Sequence, residues 1–108
     1  MSKFEKSVYD IVVSVAADYG RMHRLLSEGC ISREQAIYFT KQIGAIDHAL
    51  LAVCHDEDED ARLALLDDIA HRRGFEKAIS ARYYGTSGTF WRRKNDAIEL
   101  IAKMLCLI

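Results

Sequence analysis

Residues 71–94 bring together Arg72, Arg73, Lys77, Arg82, Arg92, Arg93 and Lys94 with Tyr83, Tyr84, Phe90 and Trp91, against Glu76 as the one carboxylate. Cations contact phosphates and aromatic rings stack on bases, so this is the composition of a nucleic-acid surface. An acidic protein partner would be met by the same groups. The candidate partner- or phosphate-binding residues are therefore Arg72, Arg73, Lys77, Arg82, Tyr83, Tyr84, Trp91, Arg92, Arg93 and Lys94. A local argument adds to this. If a last helix starts near Phe90, Arg92, Arg93 and Lys94 fall in its first turn, where the helix dipole disfavours each cation by roughly 0.3–1 kcal/mol. Gly85 and Gly88 leave backbone amides approachable beside that turn, which suits an anion. The competing interpretation is a solvated basic face, or one paired with the acidic run Asp56-Glu57-Asp58-Glu59-Asp60 of the same chain or another copy.

Other reactive residue types form no catalytic pattern. Cys30 and Cys106 sit among apolar neighbours, which suits packing. His48 and His55, with Cys54 and Glu59 nearby, lack the repeated convergent spacing of a zinc site. No Ser or Cys stands in a nucleophile motif. The expectation is no catalytic residues, no metal, no cofactor and no enzymatic activity.

The C-terminal segment carries a different signal. From Ala97 to Ile108 the charged residues are Glu99 and Lys103, an i, i+4 pair on one side. Ile98, Ile101, Leu105 and Ile108 form one apolar stripe, and Leu100, Met104 and Leu107 a second. A helix apolar nearly all round is central in its domain or covered by a partner. A small bundle has room for one stripe, so Leu100, Met104, Leu107 and Ile108 are expected to form an interface, most simply in a homodimer.

These residues need helices to position them. The chain has no proline, half its residues are apolar, and apolar positions recur every three or four residues along nearly its whole length. Phe4, Val8, Ile11, Val15, Tyr19, Met22 and Leu26 define a first helix that Gly29 closes with a left-handed cap. Ser32 and Gln35 form a capping box, after which Ala36, Phe39, Ile43, Ile46, Leu50 and Val53 step at a coiled-coil-like 3.5-residue average. A third helix starts in the acidic run and buries Leu63, Leu66, Ile69 and Ala70. Gly74 ends or kinks it, and Phe75, Ile79 and Tyr83 continue a stripe. Gly85-Thr86-Ser87-Gly88-Thr89 is the strongest break, and the final helix runs from about Phe90 to Ile108. The spacing predicts an all-α fold: one domain over residues 1–108, an antiparallel bundle of four helices, or five if Gly74 breaks the third, with no strands.

Charge divides the chain. Residues 1–68 hold 7 Lys/Arg and 13 Asp/Glu, whereas residues 69–108 hold 8 and 3. Such asymmetry points to a macromolecular partner or to association between the halves. The N-terminus lacks the apolar core of a signal peptide, no apolar run reaches membrane-spanning length, and three unpaired cysteines suit a reducing compartment. A cytoplasmic protein without membrane contact is expected. Small size without an enzyme motif is also the profile of phage or mobile-element accessory proteins. The function expected is non-enzymatic: an adaptor, inhibitor or regulator acting through the apolar C-terminal helix and the basic-aromatic segment. A nucleic-acid-binding regulator using residues 71–94 is the alternative.

Overall fold

The capping box at Ser32 forms as a reciprocal pair, with Gln35 N–H donating to Ser32 Oγ and Ser32 N–H donating to Gln35 Oε1, each at 3.1 Å. It starts the longest element of the computed structural model, which describes residues 5–54, 59–72, 74–80 and 86–108. All regular structure among these residues is helical. The order is α1 (Lys6–Ala17), α2 (Tyr19–Glu28), α3 (Arg33–Val53), α4 (Glu59–His71), α5 (Phe75–Ser80) and α6 (Ser87–Met104). The acidic residues Asp56–Asp58, together with Phe4, Arg73, Arg82, Tyr83, Tyr84 and Gly85, lie outside the described residues.

The fold is all-α, and its helix boundaries correct the sequence expectation at two places. The first helix is two. Asp18 N–H is shared between the Ser14 and Val15 carbonyls, each at 3.1 Å, the bifurcated pattern of a helix end. Its carboxylate also accepts from Nε and Nη2 of the Arg21 guanidinium, at 2.6 and 2.7 Å. Gly74, at φ +89°, separates α4 from the short α5, which is the five-helix alternative at this position. Finally α6 begins at Ser87, three residues before Phe90. Thr86 is its cap, accepting the Thr89 N–H at 3.2 Å, so much of the glycine-containing break is already the first turn. Gly29 closes α2 at φ +73°, as expected.

The main core joins α1, α3, α4 and α6 through Val12, Ala16, Ile46, Ala49, Leu50, Leu65, Ile69, Phe90, Ile98 and Ile101. A smaller cluster of Met22, Phe39 and Ile43 docks α2 on α3. Helix α6 packs on α3, α1 and α4, so its apolar character is largely absorbed inside the bundle. Leu100, Leu105 and Leu107 pack half-buried against the core; Met104 and Ile108 stay exposed. Beyond Leu105 the chain turns back: Cys106 adopts φ +61°, its N–H donates to the Lys103 carbonyl at 3.1 Å, and Leu107 N–H donates to the Ala102 carbonyl at 2.8 Å. This is a Schellman motif, and it folds Leu107 onto the core. The expected second wet stripe thus reduces to Met104 and Ile108. Two expected core positions are also corrected: Ile11 is 44% exposed and Leu63 50% exposed, while Val12, Ala64 and Leu65 point inward.

Candidate functional site

The basic-aromatic segment does not form one surface among the described residues. Its last cation, Lys94, is buried, with a side chain 11% exposed, and its Nζ approaches Asp68 Oδ2 to 2.9 Å. That contact is a charge pair without hydrogen-bond alignment; Asp68 Oδ1 accepts the Gly74 N–H. The Asp68 side chain is 1% exposed. Lys94 Nζ also lies 5.0 Å from the centre of the Trp91 ring. The expectation that Lys94 meets a partner or phosphate is therefore corrected: i−4, i+3 and i+4 of Lys94 are Phe90, Ala97 and Ile98, all buried, so helical phase turns it inward.

Arg72 goes elsewhere, its guanidinium 5.7 Å from the Tyr9 ring on α1. Lys77 is exposed on α5, and Trp91 is 41% exposed in a T-shaped contact with Phe90, ring centres 5.2 Å apart. The dipole argument for an anion at Arg92, Arg93 and Lys94 falls with the boundary. With α6 starting at Ser87, these residues occupy its second turn, where the field of the helix end has weakened.

Arg92 and Arg93 instead face a groove between α6 and the C-terminal end of α3. It measures about 570 Å³ and is lined by Ala52, Val53, Arg92, Arg93, Asp96, Glu99 and Leu100. The apolar residues come from both helices and the charges all from α6, cations at one end and carboxylates at the other. Glu99 also pairs with Lys103 at 3.2 Å. Met104 stands one turn beyond Leu100 and extends the apolar strip past the groove. Sequence reasoning found Arg92, Arg93, Leu100 and Met104, and missed Ala52, Val53, Asp96 and Glu99. Their signal was weak, since small apolar and acidic residues are ordinary on helix surfaces.

A second cleft, about 260 Å³, opens between α3 and α4 and includes Tyr19, Asp47, Leu51, Glu59 and Leu63. Here the Tyr19 hydroxyl donates to Asp47 Oδ1 at 2.5 Å. Burial, then that hydrogen bond and the charges of Asp47 and Glu59, push the Tyr19 phenol well above its usual range. The folded state thus holds the proton more tightly than the unfolded chain. This contribution to stability is complete below pH 10 and is lost as pH rises beyond it. Unfolding midpoints in urea are expected to fall from about pH 10 upward, and Tyr19→Phe is expected to flatten that fall. A parallel decline in both proteins would assign it to other groups.

At the helix break, hydrogen bonding from Arg21 holds the Asp18 carboxyl below the usual carboxylate range. Among the described residues no three His, Cys, Asp or Glu side chains converge as a metal-binding group, and no helix is long and apolar enough to cross a membrane. Cys30 and Cys106 are exposed, contrary to the expectation that they pack; Cys54 is the buried thiol. Compared with known proteins, the chain matches no family model, no curated protein and no solved structure.

Proposed function

We propose that this chain is a small non-enzymatic protein-binding module, and that its α3/α6 groove is the docking surface through which it pairs with a second copy. The observation that carries this reading is the order of charge along α6. Arg92 and Glu99 lie on one flank of the groove face, seven residues apart, with Asp96 between them. A two-fold axis near Asp96, running α6 antiparallel to its mate, sets Arg92 of each copy opposite Glu99 of the other, because antiparallel helices pair like flanks. Leu100 adds apolar area beside those pairs, and Met104 extends it by one turn. Both are already partly covered, so each contributes a fraction of the roughly 1.5–3 kcal/mol that full burial of such a side chain is worth. Phosphate binding receives less support from this face, since Asp96 and Glu99 follow its cations along the same groove and Lys94 is buried.

Light scattering at high micromolar concentration is the test. A mass twice the 12.3 kDa of one chain is expected. Arg92→Glu should shift the population to monomer, and Arg92→Glu combined with Glu99→Arg should restore the dimer. Met104→Glu is a better apolar probe than Leu100→Glu or Leu107→Glu, because Leu100 and Leu107 also pack on the core. A wild-type monomer at that concentration removes the dimer. Steeply salt-dependent binding to mixed DNA and RNA probes would favour the nucleic-acid alternative.

A further inference from the structure

A third cleft, away from the α3/α6 groove, lies where α1 ends against α2 and α3. It measures about 170 Å³ and is lined by Ser14, Val15, Asp18, Met22, Tyr38 and Gln42. Gln42 is 8% exposed, and its Oε1 is enclosed with no hydrogen-bond partner among the described residues. An unmet buried acceptor costs the desolvation of that group with nothing to offset it. A leucine or methionine would fill this position on α3 without that cost. The terminal torsion of a glutamine is soft, so the amide can swing to meet a donor entering the cleft.

The other walls narrow the chemistry of that donor. Asp18 is the one ionised lining group, and Arg21 already neutralises it through the paired contacts at 2.6 and 2.7 Å. A charge-balanced wall gives an incoming cation or anion little to offset its loss of hydration. Met22 presents a thioether and Tyr38, 55% exposed, an aromatic ring. Both favour an aromatic neighbour over an aliphatic one. We propose that this cleft binds a small neutral aromatic ring bearing one hydrogen-bond donor, of phenol or indole type, whose O–H or N–H donates to Gln42 Oε1. The ring comes from a free small molecule or from a tyrosine or tryptophan side chain of another protein.

Nuclear magnetic resonance titration of the full chain with phenol and with anisole tests this, since anisole keeps the ring and lacks the donor. Phenol is expected to shift the backbone amides of Ser14, Asp18 and Gln42 saturably, with anisole roughly tenfold weaker or more, as loss of one hydrogen bond implies. Gln42→Met conserves volume and removes the unmet acceptor. It is expected to fold, to unfold at a higher urea midpoint than wild type, and to bind phenol and anisole alike. N-acetyl-tyrosinamide separates the sources: binding as tight as phenol points to a side chain, and its exclusion while phenol binds points to a free molecule. Absence of saturable shifts at millimolar phenol, or equal binding of phenol and anisole by the wild type, overturns the proposal.

Discussion

Asp68→Ala is expected to lower the free energy of unfolding by about 3–5 kcal/mol, the range for breaking a buried ion pair by removing one partner. The carboxylate has almost no contact with solvent and is held between Lys94 Nζ at 2.9 Å and the Gly74 N–H. Its removal strands an ammonium whose side chain is 11% exposed, and frees a backbone donor at the turn between α4 and α5. Lys94→Met alone should be comparably harmful, because it leaves the anion in the core. The double variant Asp68→Leu/Lys94→Met should cost clearly less than either single change, since apolar residues of similar volume often replace a buried pair at little cost. Urea unfolding of wild type, Asp68→Leu, Lys94→Met and the double variant closes the cycle, with Asp68→Ala measured beside them. Additive effects, or a loss under about 1 kcal/mol for Asp68→Ala, would show that the pair is solvated and not part of the core.

This pair also shows where sequence reading stops. The phase of α3 is legible because its bulky residues, Phe39, Ile43, Ile46 and Leu50, fall on one face and all are buried. In α4 the inward face is Ala61, Ala64, Leu65, Leu66, Asp68 and Ile69, and the large residue Leu63 points out. Alanine lets helices approach closely but contributes little to an apolar stripe, so a reading weighted by large side chains finds Leu66 and Ile69, adds Leu63 wrongly and misses the Ala61, Ala64 and Asp68 side of the face. Asp68 then looks like a surface acid, and Lys94 like a member of the basic triplet Arg92-Arg93-Lys94. A usable signal existed. Each sits at i±3 or i±4 from buried apolar residues, and two opposite charges on apolar faces suggest mutual pairing. The α3/α6 groove was half legible. The charges of α6 follow from the sequence, whereas Ala52 and Val53 join them only through packing between helices some forty residues apart in the chain. The Gln42 cleft left no trace in the sequence, because a glutamine on a helix is normally solvated.

Phe90→Ala should remove a comparable amount, about 3–5 kcal/mol, through a cavity and not through charge. Phe90 is fully buried at the start of α6, with the Phe75 ring centre 5.6 Å away and the Trp91 ring at 5.2 Å. Phe75 belongs to α5, which has six residues. So short a helix does not persist alone, because nucleation outweighs the few hydrogen bonds gained. Among the described residues, Phe75 on Phe90, buried Ala78 and packing against α4 hold α5 to the bundle. Truncation at Phe90 should therefore raise hydrogen exchange in α5 more than in α3, beyond the global loss seen in urea. Trp91→Ala, one residue along but 41% exposed, should cost about 1 kcal/mol or less. Equal losses at the two positions would mean that the ring cluster, and not the filled cavity, holds this end of the fold. Because Arg92 and Arg93 follow directly on the same helix, Phe90→Ala should also weaken self-association at concentrations where the wild type pairs, by disordering the groove wall that carries both cations.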